Sequence, residues 1–168
     1  MFVEGFDTDI RLSDILAKDI AALKLFGPIL FVAAASPEYL KSAGRPKHPK
    51  DLLSHNCISP RCFDGSIYHR WEFEQNGAEF QVQVKGSLIL NDTFLMLEAA
   101  ADGAGIIYTT EEAIKEKVRS GKLEIILNQY VTSSAGFYLY YPNPKQVLPK
   151  LKAFIDQIKS ERRIKAMR

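Results

Sequence analysis

The run of seven apolar residues at 29–35 is the sequence feature that most restricts the fold of this chain. Ile29–Ala35 contains no polar side chain, follows Gly27-Pro28 and precedes Ser36-Pro37. A continuous apolar run between turn residues is typical of a strand that is buried on both faces of a sheet. Serine is a preferred helix N-cap and proline a preferred first helical residue, so a helix is expected to follow at once. This order of strand and helix favours an α/β domain.

The rest of the chain continues to alternate between predicted strands and helices. Alternating segments at 70–84 flank the turn pair Asn76-Gly77 and predict a hairpin, and Leu88–Leu90 is expected to close this antiparallel set. A helix is expected to open at Asn91-Asp92-Thr93, with Phe94 and Leu95 on its buried face. Further strands are expected at 9–12, 21–25, 56–59, 105–108, 123–127 and 136–141, and further helices at 37–42, 48–53, 109–120 and 147–159. The alternation predicts an α/β fold with parallel sheets.

The composition argues against several classes of function. A formal net charge of +2 over 168 residues gives the chain no strong overall positive potential that would attract nucleic acid. No apolar segment approaches the ~20 residues of a membrane helix, and the acidic N-terminus is not a signal peptide. A cytoplasmic protein without a membrane partner is therefore expected. Cys57 and Cys62 lack a second pair of ligands for zinc, so we interpret them as reduced thiols and expect neither a metal nor a cofactor.

No pattern of catalytic residues is visible either. The chain contains no G-x-S-x-G, no P-loop and no H-E-x-x-H segment. Ser36, Ser59 and Cys57 have no histidine and acid at a recognisable spacing. No catalytic set therefore emerges from the sequence, and an enzyme is not expected.

Five segments, taken together and in order, carry a resemblance to a known family. They are FVAAASPEYLKSAGRPKHPKDLLSHNCI at 31–58, Trp71-Glu72-Phe73 followed by Gly77, KGSLILNDTFLMLEAAADGAGI at 85–106, SGKLEIIL at 120–127 and FYLYYPNPKQVLPKLKAFIDQIK at 137–159. In this order they resemble the effector-binding domain of the LysR-type bacterial transcription regulators. The resemblance covers essentially the whole chain.

The resemblance implies the periplasmic-binding-protein type II fold, in which two α/β lobes are joined by two crossing strands. It implies that residues 1–28 together with 134–168 form lobe I, that residues 29–133 form lobe II, and that Ile29–Ala35 is a crossing strand with nearly every side chain covered. The implied function is ligand sensing: a small molecule, such as a carboxylate, binds in the cleft and the signal passes through self-association. A solute-binding protein of a transporter and a small enzyme on the same fold are the alternatives.

The chain departs from the family pattern at its beginning. Members of the family start with a winged helix-turn-helix, a linker helix and an opening strand–helix–strand unit of lobe I, whereas this sequence starts at a position after that unit. We therefore expect a lobe I that is incomplete and an edge strand at 9–12 that promotes self-association. Contact with DNA is expected only through the missing N-terminal domain.

Candidate ligand groups follow from the resemblance and from the chemistry of helix starts. Backbone N–H groups at a helix start bind anions, and two predicted starts lie where the family places its cleft. Arg61 can clamp a carboxylate, or it is a solvated surface arginine. The helix-start residues are alternatively simple caps, Tyr108 is alternatively a core residue, and Asp92 is interpreted as a cap because its charge would repel an anion. The expected effector-binding residues are Ser36, Pro60, Arg61, Asn91, Thr93, Phe94 and Tyr108.

Overall fold

A computed structural model of the chain describes residues 7–12, 20–62, 64–142 and 148–166. The strands are β1 (Asp9–Leu12), β2 (Ile20–Phe26), β3 (Ile29–Ala35), β4 (Cys57–Pro60), β5 (Arg70–Gln75), β6 (Ala78–Gln83), β7 (Ile89–Leu90), β8 (Ile106–Thr110), β9 (Glu124–Ile126), β10 (Thr132–Ser134) and β11 (Phe137–Pro142). The helices are α1 (Pro37–Ala43), α2 (Thr93–Ala101), α3 (Glu111–Arg119) and α4 (Pro149–Ala166), and Pro49–Ser54 and Asn128–Tyr130 form 3-10 turns. The chain divides into two compact units, residues 29–133 and residues 1–28 with 134–168.

The unit at 29–133 is built on one mixed sheet. Its strand order is β10-β3-β8-β4-β7, and β9 also pairs with β3. Strand β3 runs antiparallel to β8 with Ala33 opposite Tyr108, whereas β4 is parallel to both β8 and β7. The predicted parallel pairing is therefore found for β4 with β7 and β8 but not for β3 with β8, because the alternation of strands and helices does not specify the direction in which a distant strand returns.

Strand β7 also differs from its prediction as part of an antiparallel set with the hairpin. The hairpin β5–β6 forms a separate two-stranded sheet, while β7 pairs in parallel with β4. The chain at 85–90 runs alongside β4, because the N–H of Cys57 donates to Lys85 and that of Ser59 to Leu88. Gly86 permits this approach, since a Cβ there would lie 1.8 Å from the carbonyl oxygen of Cys57.

Both faces of the mixed sheet are covered, which explains the apolar run in β3. Ala33 and Ala35 belong to a core cluster with Trp71 of the hairpin and Tyr39 of α1. Val32 and Ala34 alternate with them and belong to a second cluster, formed with Met96 and Leu97 of α2 and Ile114 of α3. The hairpin and α1 therefore cover one face, and α2 and α3 cover the other.

The covering of β3 begins later than predicted. Residues 32–35 are buried, but Ile29 and Phe31 are half-buried and the side chain of Leu30 is 41% exposed. The expectation that nearly every side chain of this strand is covered is therefore wrong for its first three residues. The two core clusters of the sheet contain β3 side chains only from Phe31 onward.

Helix α2 starts as predicted but presents a different face to the core. Its buried residues are Met96, Leu97 and Ala100, whereas Phe94 is 66% and Leu95 is 52% exposed. Because 96, 97 and 100 lie on one side of a helix with 3.6 residues per turn, residues of the first turn at 94 and 95 face away from the sheet. The prediction that Phe94 and Leu95 are buried is wrong.

The unit formed by 1–28 and 134–168 contains a three-stranded antiparallel sheet in the order β1-β11-β2. Leu139 and Tyr141 of β11 pack against Leu151 and Ile155 of α4. Helix α4 extends to Ala166, past the predicted end at 159, and the predicted first residue of this helix, at 147, lies outside the described residues. No helix in the described part of the chain is long and apolar enough to cross a membrane.

Candidate functional site

A cavity of about 620 Å³ lies at one edge of the sheet in the unit at 29–133. It is lined by residues that follow β4 and β7 and by the start of α2, namely Pro60, Arg61, Cys62, Gly65, Asn91, Asp92, Thr93 and Met96. Strands β4 and β7 are parallel, with Pro60 opposite Leu90, so both carboxyl ends meet at this edge. Ligands of open α/β sheets bind at the carboxyl ends of the strands. The place of the cavity therefore fits a binding site.

The start of α2 supplies polar groups to this cavity. Asp92 is the N-cap, and its Oδ1 accepts a hydrogen bond from the N–H of Leu95 at 2.9 Å. The carbonyl of Asp92 accepts the N–H of Met96. The first N–H groups of a helix have no carbonyl partner within it, and the positive end of the helix dipole lies there. Because Asp92 performs the capping, the exposed side chains of Asn91 and Thr93 remain available to a ligand.

Arg61 supplies the cationic group of the cavity wall. Its backbone N–H donates to the carbonyl of Leu90 at 2.7 Å, and its Nη1 donates to the carbonyl of Gly65 at 3.0 Å. The side chain is exposed, and it forms no ion pair with any carboxylate among the described residues. A guanidinium has five N–H donors, so the bond to Gly65 leaves several for an anionic ligand.

Four of the predicted site residues line the cavity, and three lie elsewhere. Pro60, Arg61, Asn91 and Thr93 are brought together from two segments thirty residues apart. The lining does not include Ser36, Tyr108 or Phe94.

Ser36 and Tyr108 are held by internal hydrogen bonds. Ser36 is buried and caps α1, with its Oγ accepting the N–H of Tyr39 at 3.1 Å. The hydroxyl of Tyr108 donates to the carbonyl of Glu72 at 2.6 Å, and its ring stacks on Trp71 at 5.4 Å between centroids. Burial raises the pKa of Tyr108 above its usual value. Ser36 therefore lies in the structure as a helix cap, and Tyr108 as a core residue, which were the alternatives to a place in the binding site.

Cys62, Gly65, Asp92 and Met96 line the cavity but were not among the predicted site residues. The helical spacing of Met96 from Thr93 places both on neighbouring turns of one face, and this signal was available in the sequence. Asp92 was recognised only as a cap. Gly65 could have been found from the dipeptide Asp64-Gly65, which is typical of a turn, and Arg61 and Ile67 on either side of it form an isolated β-bridge.

The residues that line the cavity offer charges, hydrogen-bonding groups and one thiol. No group of three or more histidine, cysteine or acidic side chains is placed to hold a metal among the described residues. Burial raises the pKa of the Cys57 thiol to about 12, which keeps it protonated at neutral pH. Cys57 is therefore not an available nucleophile, while Cys62 is exposed on the cavity wall.

Comparisons with known proteins place this structure in a family. The family model described as "LysR substrate binding domain" matches residues 3–163. The uncharacterized HTH-type transcriptional regulator YcaN of Escherichia coli K12 is 40% identical over 157 residues, which are 94% of this chain and 51% of that protein. The putative LysR family substrate binding domain-containing protein YagP, also from Escherichia coli K12, is 36% identical over 135 residues, which are 80% of this chain and 93% of that protein.

Solved structures agree on the fold. The regulatory domain of the C227S variant of AphB from Vibrio vulnificus is similar with a TM-score of 0.74 and 24% identity, over 92% of this chain and 78% of that one. Full-length AphB of Vibrio cholerae, a virulence activator, gives a TM-score of 0.75 and 20% identity, over 92% of this chain and 52% of that one. This chain spans about half the length of YcaN and of a second curated regulator that it matches, from Pseudomonas aeruginosa. The chain therefore belongs to the LysR substrate-binding-domain family and has the periplasmic-binding-protein type II-like fold of that family's regulatory domains.

Proposed function

We propose that this chain binds a small carboxylate effector in the cavity of the unit at 29–133 and serves as the sensing part of a cytoplasmic LysR-type transcription regulator. The observation that carries the proposal is the place of Arg61 on the wall of a cavity at the carboxyl ends of β4 and β7. An arginine fork binds a carboxylate through two parallel hydrogen bonds. The N-terminal turn of α2 adds unpaired N–H groups to the same wall.

The remaining parts of the proposal follow from the family. We propose that residues 29–133 and residues 1–28 with 134–168 are the two lobes of an effector domain, and that the domain self-associates. A ligand changes the state of such a domain only by binding one conformation more tightly than another. Contact with DNA is assigned to a separate helix-turn-helix module, as the names of the matched regulators suggest for those proteins. We propose ligand binding without turnover, because the relatives that this chain matches are named as transcription regulators.

The test is a thermal-shift titration with a panel of small carboxylates, among them acetate, benzoate and succinate. A ligand that binds the native state must raise the melting temperature. We expect Arg61→Ala to abolish the rise and to leave the unliganded melting temperature nearly unchanged, because the exposed side chain makes one hydrogen bond to Gly65. Arg119→Ala is the matched control, since Arg119 is an exposed arginine on α3 outside the cavity.

Two outcomes would contradict the proposal. A carboxylate that stabilises the wild type and the Arg61→Ala variant equally binds somewhere else. A loss of unliganded stability in Arg61→Ala, without a change in ligand response, would give Arg61 a structural role at the turn that it closes with Gly65.

A further inference from the structure

Two opposite charges line the same cavity without neutralising each other. Arg61 and Asp92 both contribute to its wall. Among the described residues, neither takes part in an ion pair, although six such pairs occur elsewhere. The contacts they do make are to the backbone: the guanidinium of Arg61 donates to Gly65, and Oδ1 of Asp92 accepts from Leu95.

Both groups have capacity left for a ligand. A carboxylate offers about four lone-pair positions on its two oxygens, and the capping bond of Asp92 uses one of them. The guanidinium of Arg61 likewise retains most of its five N–H donors. A ligand in this cavity therefore meets an acceptor with a full negative charge as well as a donor with a full positive charge.

This combination discriminates between classes of ligand. A simple carboxylate that pairs with Arg61 also approaches Asp92 and is repelled by it, whereas a simple amine is repelled by Arg61. A molecule that carries one positive and one negative charge can pair with both Arg61 and Asp92. Asn91 and Thr93 add neutral hydrogen-bonding groups, and Pro60 and Met96 add apolar surface for a side chain.

We infer that the ligand of this cavity is a zwitterion of the amino-acid class, whose carboxylate pairs with Arg61 and whose ammonium group donates to Asp92. The inference rests on the proposed function and narrows the proposed ligand from any small carboxylate to one that also carries an ammonium group. The capping bond of Asp92 to α2 is retained in the complex, because it uses Oδ1 and leaves Oδ2 for the ligand.

The experiment compares matched ligands on the whole chain. The twenty proteinogenic α-amino acids are screened by thermal shift, and each that binds is titrated calorimetrically beside its deaminated acid and its decarboxylated amine. We expect at least one amino acid to bind at least about tenfold more tightly than either of its two analogues, since each analogue leaves one charged wall without a partner.

Variants then separate the two charges. Asp92→Asn keeps a good N-cap and removes only the charge. We expect it to weaken amino-acid binding by about tenfold or more and to leave binding of the deaminated acid equal or stronger. Asp102→Asn removes the same charge from the other end of α2, outside the cavity, and should change neither affinity. Arg61→Gln should weaken both ligands.

The outcomes that overturn the inference are distinct from failure of the proposed function. If no amino acid raises the melting temperature, or if Asp92→Asn leaves amino-acid affinity unchanged, the zwitterion assignment is wrong. If simple carboxylates still bind through Arg61 in that case, the proposed carboxylate site stands. If neither class binds, both proposals fall together.

Discussion

The backbone N–H of Arg61 donates to the carbonyl oxygen of Leu90 over 2.7 Å, which joins the residue after β4 to the end of β7. This bond continues the parallel pairing of Pro60 with Leu90 by one residue. Residues that follow each of these two strands line the cavity, Arg61 and Cys62 after β4 and Asn91 and Asp92 after β7. The candidate site thus depends on a strand pair of only two residues in β7.

Replacing Val32 with aspartate should strongly destabilise the unit at 29–133. Val32 is 3% exposed and belongs to the core cluster with α2 and α3, so the variant would bury an unpaired charge at a cost on the order of 3 kcal/mol or more. The measurement is urea unfolding followed by the fluorescence of Trp71, the single tryptophan of the chain, which is fully buried in the same unit. Leu30→Asp, in the same strand but 41% exposed, is the control and should cost much less.

Gly86→Ala should be far more damaging than the loss of a glycine in open space. The added Cβ would lie 1.8 Å from the carbonyl oxygen of Cys57, so the chain at 85–90 must move away from β4. We expect a loss of ~3 kcal/mol in the free energy of unfolding. Gly77→Ala provides the comparison, because Gly77 has a positive φ but nothing within 4 Å, and that strain costs about 1 kcal/mol. Equal losses in the two variants would contradict this account of β7.

Tyr108→Phe should reduce stability without changing ligand affinity. The hydroxyl of Tyr108 donates to the carbonyl of Glu72, and Tyr108 is absent from the residues that line the cavity. Removing a buried hydrogen-bond donor while leaving its acceptor costs about 1–3 kcal/mol. The melting temperature and the affinity for a cavity ligand are measured on the same preparation. A loss of ligand affinity in Tyr108→Phe without a loss of stability would show that Tyr108 takes part in ligand binding.

Local patterns in the sequence predict individual strands, turns and helix starts well, because each of these is determined by residues that are close together in the chain. The apolar run of β3, the hairpin around Asn76-Gly77 and the helix start at Asp92 all agree with the structure. The partner of a short strand depends on packing between distant segments. Leu88–Leu90 therefore gave no indication that β7 would pair with β4, since the determining contact, Gly86 against Cys57, joins residues 29 positions apart.

The same distinction applies to the candidate site. Asn91 and Thr93 were predicted from the composition of a helix start together with the family resemblance, and Arg61 from its place after a strand, and all three line the cavity. The position of Tyr108 depends on which face of β8 it occupies, and successive residues of a strand point to opposite faces. Ile107 packs in the cluster with α2, and Tyr108 packs in the cluster with the hairpin. A shift of one residue along β8 therefore decides whether a side chain packs against α2 or against the hairpin, and the sequence alone does not distinguish these two environments.

This chain should not bind duplex DNA selectively. Its formal net charge is +2, and the family model that covers residues 3–163 is a substrate-binding domain. Phosphate contacts supply most of the affinity of DNA-binding proteins, and base contacts supply the specificity. A mobility-shift assay at about 150 mM salt, near physiological ionic strength, compares promoter fragments with random sequence. Sequence-selective binding at sub-micromolar concentration would contradict the prediction.

Amide exchange should be fast in β1 and slow in the central strands of the other unit. Among the described strands, β1 pairs only with β11, and its Ile10 is 54% exposed. An edge strand protects only the amides that face its single neighbour, so about half of those at 9–12 should exchange rapidly. Strands β3 and β8 each have neighbours on both sides and contain fully buried residues, and their amides should exchange at the rate set by unfolding of the unit.

The concentration dependence of this exchange tests self-association through the same edge. Exposed strand edges pair with other strands, and Ile10 on β1 and Phe154 on α4, which is 50% exposed, add apolar surface in this unit. We expect protection at 9–12 to rise with protein concentration, while protection in β3 and β8 stays constant. Ile10→Lys should abolish the rise, because charged residues on an edge strand disfavour pairing between chains. Strong protection at 9–12 in a preparation shown to be monomeric would mean that this edge is already covered within one chain.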